Sequence, residues 1–235
     1  MATEKIFLSD MYASKAEATI LEIEENRVLL DRTVFYAESG GQLGDTGYIG
    51  DQRVINTQKK ITESTRMLAH PDFPSINVNM DIVHFLEEPP KNLRLGDKVK
   101  TGIDWQRRFA IMRLHSAAHI VWHFVEQQLG SLPLKGCLIG PEKSRLDFGA
   151  KIDPEAIPDL VRASNEFIAK KYSIQNVPLD HETEALFWIC NQVKIPCGGT
   201  HVKNTKEIGP ITLKRRSQGK KLDRLYISLE DSSNP

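Results

Sequence analysis

The chain has 235 residues, enough for one large or two modest domains, and 31 basic against 31 acidic side chains leave it with no net charge. At 40% hydrophobic and 26% charged residues, its composition is that of an ordinary soluble globular protein. No apolar run approaches the roughly 18 residues of a membrane span. MATEKIFLSD has no basic leader ahead of an apolar stretch, so neither a membrane anchor nor a secretory signal is expected. The three cysteines, Cys137, Cys190 and Cys197, are odd in number and widely spaced. They argue for a reducing, cytoplasmic setting rather than a disulfide framework.

The first 100 residues read as β. AEATILEIE, RVLLDRTVFY, GYIGDQRVINTQ, DIVHFL and KVKTGIDW are short runs rich in β-branched residues, broken by Gly, Asn, Asp and Pro. Strands at this spacing predict a small barrel or sandwich. Pro89 and Pro90 mark a loop, and Asp104 reads as an N-cap. WQRRFAIMRLHSAAHIVWHFVEQQL then predicts one long amphipathic helix stopped by Gly130, with Phe109, Met112 and Ala117 packing inward. Arg107 and Arg108 open that helix and read as additions to its surface charge.

Beyond it, RLDFGAKI is a strand, and Asp153-Pro154 starts a second helix carrying Ile157, Leu160, Val161, Phe167 and Ile168. A third, shorter helix is expected at residues 182–188. ITLKRR and RLYISL read as a hairpin joined by SQGKK, and the tail EDSSNP as disordered. The fold class is therefore α+β. A β-barrel-like domain is expected over residues 1–100, and an α+β domain with helices on an antiparallel sheet over residues 101–235.

Two stretches carry chemistry. His115 and His119 lie four residues apart on the long helix, about one turn, so both imidazoles leave the same face. Cys197 and His201 in CGGTHV have the same separation. Three imidazoles and a thiolate suit zinc, and with less preference iron or cobalt. Gly198 and Gly199 are expected to let the backbone bend so that the second pair turns toward the first. Either pair alone is weak evidence, and His123 offers a competing pair with His119. The zinc-protease motif is absent, since no Glu follows His115.

The second stretch, FYAESGGQLGDTGYI, holds Gly40, Gly41, Gly44 and Gly47 but neither a Walker nor a dinucleotide motif. A glycine-bearing hairpin and a loop laid across a polar ligand are both open readings. A basic excess follows CGGTH: eight basic residues against two acidic ones between Lys203 and Arg224. It fits either an RNA-binding surface or a solvated hairpin that protects a sheet edge.

DRTVFYAESGGQLGDTG, RLHSAAHI, RLDFG and PCGGTHV, in that order, resemble the editing region of alanyl-tRNA synthetases. They are most similar to its free-standing relatives, the medium-length alanyl-tRNA editing proteins, across about Lys5 to Leu229. The resemblance implies hydrolysis of the ester of mischarged tRNA for alanine. Seryl-tRNA(Ala) is the main substrate it implies, with glycyl-tRNA(Ala) possible. It makes His115, His119, Cys197 and His201 ligands of one zinc ion, and leaves His123 out. It places Thr33 and Gln42 near the aminoacyl group as catalytic-site residues, and Gly40, Gly41, Gly199 and Thr200 against substrate. Thr33 is the expected partner of the serine hydroxyl. Lys214, Arg215, Arg216, Lys220 and Lys221 are the implied RNA contacts.

The chain is too short to hold an aminoacylation domain as well. The expected partner is mischarged tRNA, with no membrane and no DNA, and the protein as monomer or weak oligomer. Two other readings compete: a metal-stabilised tRNA-binding module without activity, and editing of seryl-tRNA(Thr).

Overall fold

Alternating small, β-branched and charged residues make Lys15–Glu24 a ten-residue strand with one face inward. In the computed structural model, which describes residues 3–230, it starts a ring of six antiparallel strands. The ring runs Lys98–Ile103, Lys15–Glu24, Arg27–Leu30, Asp81–Leu86, Gln52–Lys60, Gly47–Ile49, and then returns to Lys98–Ile103. Ile20, Val28, Leu30, Phe35, Ile49, Val54 and Leu86 fill it. The last strand pairs Ile103 with Gly47, so the ring uses residues slightly beyond 100.

A hairpin, Arg66–His70 with Phe73–Val78, arises between two ring strands and was not anticipated from sequence. Its residues mix prolines, charges and isolated apolar side chains, so period-two alternation is faint. The hairpin leans on the other half of the chain, where Phe73 meets Phe187 edge-on at 5.4 Å.

The long helix spans Trp105–Leu129 and ends at Gly130, whose φ of 80° stops it as expected. Asp104 precedes it but does not cap it: its carboxylate accepts from Arg53 at 2.9 and 2.6 Å and from the Thr46 hydroxyl. Nor is the middle of the helix half-exposed. From Ile111 to Ile120 every residue except Arg113 is buried, which marks a central helix packed on all sides. Arg108 overturns its surface expectation most plainly. It is fully buried against Asp45 of the glycine-rich stretch, and its guanidinium also donates to Met11 O at 3.1 Å and Val34 O at 2.8 Å.

Asp153 accepts from Glu155 N, and a short turn leads into the helix Ile157–Ala169. Both helices pack on a four-stranded antiparallel sheet ordered Leu134–Ile139, Ser144–Phe148, Asp223–Leu229, Ile211–Ser217. The last two strands form the expected hairpin. The helix expected at residues 182–188 is instead a strand, Glu182–Cys190, central in a sheet between Ile174–Leu179 and Val193–Pro196. Being covered on both faces, it buries Ala185, Leu186, Phe187 and Trp188 in succession, and such a run has no period to tell helix from strand. The tail after Glu230 lies outside the described residues. No helix among the described residues is long and apolar enough to cross a membrane.

Candidate metal centre

The strand Glu182–Cys190 anchors the second ligand pair: Cys197 N donates to Leu186 O at 2.8 Å as the chain turns from Val193–Pro196 into CGGTH. The turn faces His115 and His119 on the long helix. The ligand atoms of His115, His119, Cys197 and His201 lie within 4.8 Å of one another. Cys197 Sγ is 3.5 Å from His115 Nε2 and 3.6 Å from His201 Nε2, and His119 Nε2 is 3.2 Å from His201 Nε2. His123, one turn on, is excluded; its ring lies against Phe124 and Phe167.

Two side-chain amides set the histidine tautomers. Gln42 Oε1 accepts from Thr200 N at 2.9 Å and from His115 Nδ1 at 2.8 Å, which leaves the Nε2 lone pair of His115 facing the centre. Asn176 Oδ1, 3.1 Å from His201 Nδ1, does the same for His201. Burial pushes His115 down to about 3, and His119 and His201 well below the ordinary 6.5, so the imidazoles are neutral donors. Burial also pushes the Cys197 thiol up to about 12. A thiol so placed ionises only when a cation supplies the compensating charge. Convergent lone pairs, a desolvated thiol and hydrogen-bonded outer ring nitrogens together fit a bound metal ion.

Gly199 has a reason different from the one its sequence suggests. Neither Gly198 nor Gly199 adopts a left-handed conformation. A Cβ on Gly199 would stand 2.3 Å from His115 Cε1 and 2.7 Å from Gln42 Oε1, so the glycine is there to let the ligand ring lie on bare backbone. The glycine-rich stretch is both hairpin and bridge. Ser39 and Gln42 exchange backbone hydrogen bonds across a tight turn. Ile139 N then donates to Gly41 O at 2.8 Å, and Leu43 N to Ile139 O at 3.1 Å, joining the stretch to the sheet of the other half. A Cβ on Gly41, whose φ is +84°, would meet Cys137 Sγ at 2.5 Å.

Beside the four ligands opens a cavity of about 430 Å³. His115, His119, Cys197, Gly198, Gly199 and Gly40 line it, with Phe7, Phe73, Met80 and Trp122 among its apolar walls. Several expected substrate contacts are not in it. Gln42 is fully buried, and its amide is spent on His115, Thr200 N and Thr200 Oγ1. Its amide thus faces His115 and Thr200 and not the cavity. Thr200 is its buried partner, and Gly41 serves the backbone bridge. Thr33 is packed inside the ring. Its hydroxyl pairs with His84 Nε2 at 2.8 Å and accepts from Phe35 N at 3.1 Å, and the residue is fully buried and does not line the cavity.

Asn176, the hairpin over the cavity, and Lys5, Lys59 and Glu184 on its wall were all missed, for none belongs to a motif. Asn176 had one signal: it alternates along a strand beside the ligand-bearing loop.

Outer partners of metal ligands typically matter about 10–100-fold in affinity. Gln42→Ala is accordingly expected to weaken metal retention by roughly that factor, read by competition with a chromogenic chelator, while leaving the ring strands folded.

The family profile described as tRNA synthetases class II (A) matches residues 2–107. The profile for the threonyl and alanyl tRNA synthetase second additional domain matches residues 189–226. The alanyl-tRNA editing protein AlaX-M of Methanosarcina barkeri is 33% identical over 97% of this chain and 100% of its own length. That of Pyrococcus horikoshii is 33% identical over 97% of this chain and 98% of its own. An alanine--tRNA ligase of Saccharolobus islandicus is 31% identical over 90% of this chain but only 25% of its own length. With near-complete coverage on both sides at this identity, the chain belongs to the family of alanyl-tRNA editing proteins of the AlaX-M type.

Proposed function

We propose that this protein hydrolyses the ester linking serine, and secondarily glycine, to the tRNA for alanine, with one zinc ion held by His115, His119, Cys197 and His201. The observation that carries the reading is that three members of the cluster, His115, His119 and Cys197, line a cavity large enough for an aminoacylated nucleoside. Selective hydrolysis has a physical motive. A pocket built for a methyl group rejects the added hydroxyl of serine by only about 10². A second site that hydrogen-bonds that hydroxyl discriminates far more strongly, since alanine leaves its polar groups unpaired.

A zinc ion at this centre supplies Lewis acidity toward an ester carbonyl or lowers the pKa of a water. The residues of the chain do the rest. Gln42 and Asn176 hold His115 and His201 in the required tautomer. The apolar walls limit competing water. Glu184, a carboxylate on the cavity wall, is held by Lys5 at 2.6 Å and by Asn79 N at 3.1 Å, so it is not offered as a proton acceptor.

The tRNA body is assigned to the outer face of the four-stranded sheet. Lys214 and Arg216 stand there with Lys143 around Tyr226, at 5.5 and 5.7 Å from its ring for Lys143 and Arg216, while Arg224 beside them is held by Asp147. Lys220 and Lys221 extend this surface at the exposed turn. Arg215 leaves the set, because it points to the buried Asp223 at 2.7 Å. Ile211–Ser217 is also the edge strand of its sheet, so the same lysine deters edge pairing.

The test is hydrolysis of seryl-tRNA(Ala), glycyl-tRNA(Ala), alanyl-tRNA(Ala) and seryl-tRNA(Thr) by the zinc-loaded protein. Loss of serine from the alanine tRNA, with the alanyl ester spared, is the expected result. Binding of tRNA without hydrolysis of any ester refutes the proposal in favour of a binding module. Thr33→Val belongs with this test. It strands His84 Nε2 in the ring and is expected to lower stability by about 1–3 kcal/mol in urea unfolding, without changing the preference for serine over alanine.

A further inference from the structure

The cavity has a second chemical feature, on the wall formed by the start of the chain, the ring strand Gln52–Lys60 and the strand Glu182–Cys190. Two lysines meet one carboxylate there. Lys5, whose side chain is 5% exposed, pairs with Glu184 at 2.6 Å. Lys59 Nζ donates to the Ser39 hydroxyl at 3.0 Å, a neutral partner. All four residues line the cavity. Lys59 keeps contact with solvent. The protein around it nonetheless lowers its pKa: enclosure acts first, Glu184 opposes it, and Lys5 adds to it.

The charge count at this wall is two cations against one anion, and the single anion already belongs to Lys5. Lys59 is exposed at the rim of the cavity, and the Ser39 hydroxyl is the hydrogen-bond partner of its ammonium, which leaves donors to spare for an anion. It stands where the cavity opens to solvent, a position that a phosphate of an entering ligand would pass.

Position narrows the anion further. Glu184 and Trp188 lie on the same strand, and Trp188 lies 5.0 Å from His119 at the candidate metal centre. Four residue steps separate Trp188 from Glu184, at most roughly 13 Å at 3.3 Å per residue, and the long Lys5 and Lys59 side chains line the same cavity. A substrate whose ester sits at the metal centre carries its nearest phosphate one sugar away, a shorter span than that, which the lysine side chains can meet from this wall.

We propose that Lys59, supported by Lys5 and Ser39, binds the phosphate of the terminal nucleotide of the aminoacylated RNA, and so fixes how far the ester enters the cavity. This rests on the editing reading for the identity of its ligand. Its test, however, needs no hydrolysis.

Adenosine monophosphate, adenosine and inorganic phosphate are titrated separately into the zinc-loaded protein by calorimetry. The monophosphate is expected to bind about tenfold tighter than adenosine, the worth of one charge-assisted hydrogen bond. Lys59→Gln is expected to bring the two to parity, and Lys59→Arg to restore most of the difference. Lys5→Gln, checked for folding by circular dichroism, is expected to reduce it. Equal binding of monophosphate and adenosine by native protein overturns the proposal. So does a difference that survives Lys59→Gln. Inorganic phosphate binding as tightly as the monophosphate would show a free-anion site and overturn the nucleotide assignment. Failure of the protein to hydrolyse any ester would instead strike the editing reading and leave the binding result standing.

Discussion

A Cys197→Ala chain is expected to emerge from purification with background zinc only, where the native chain carries about one equivalent, and to hydrolyse seryl-tRNA(Ala) more than about 100-fold more slowly. Loss of a ligand must exceed the 10–100-fold typical of outer partners. The thiol supplies the only negative charge in the cluster, the other three donors being neutral imidazoles. Removing it leaves the cation with no compensating charge in a desolvated site. Metal analysis and hydrolysis are measured on the same preparation. Cys137→Ala is the comparison. That thiol lines the same cavity and donates to Gly40 O at 3.3 Å, but stands outside the cluster, so the variant keeps its zinc. Zinc retention by Cys197→Ala with undiminished hydrolysis would place the metal elsewhere.

The second large effect concerns stability. Arg108→Met should cost about 3–5 kcal/mol, a fall of roughly 10 °C in melting temperature for a chain of this size. The guanidinium is fully buried, and so is Asp45, which also accepts from Tyr36 N at 2.7 Å. Removing the cation strands a carboxylate in the seam between the glycine-rich stretch and the long helix. Arg108→Met with Asp45→Leu removes both charges, and the pair is expected to cost clearly less than the sum of the single changes. Thermal melts of the three variants decide it. Additive losses would mean that the ion pair contributes little.

The four residues of the cluster were legible because each pair keeps a spacing that suits metal binding: one helical turn in HxxxH, and four residues around two glycines in CGGTH. Their supports were not. Gln42 drew notice as a polar residue among glycines, but only the fold reveals that it faces a histidine rather than substrate. Asn176 sits in an unremarkable strand, brought to His201 by sheet pairing. Arg108 reads as surface because charged residues near a helix start usually are; its partner lies 63 residues upstream. Glu182–Cys190 lost its periodicity to burial on both faces. Thr33 shows the reverse case. Its place in a matching motif pointed to the substrate, whereas its hydroxyl is committed to His84 inside the ring.

The backbone bridge between Gly41 and Ile139, and the amide bond from Gln42 to His115, tie the two halves of the chain together at the metal ligands themselves. Docking of the halves and binding of the metal are therefore linked equilibria. A metal bound at the cluster would favour the closed seam by the same coupling free energy with which the closed seam favours the metal. The cluster thus gauges its own assembly: in a chain whose halves have not yet met, His115 lacks the Gln42 amide that orients it.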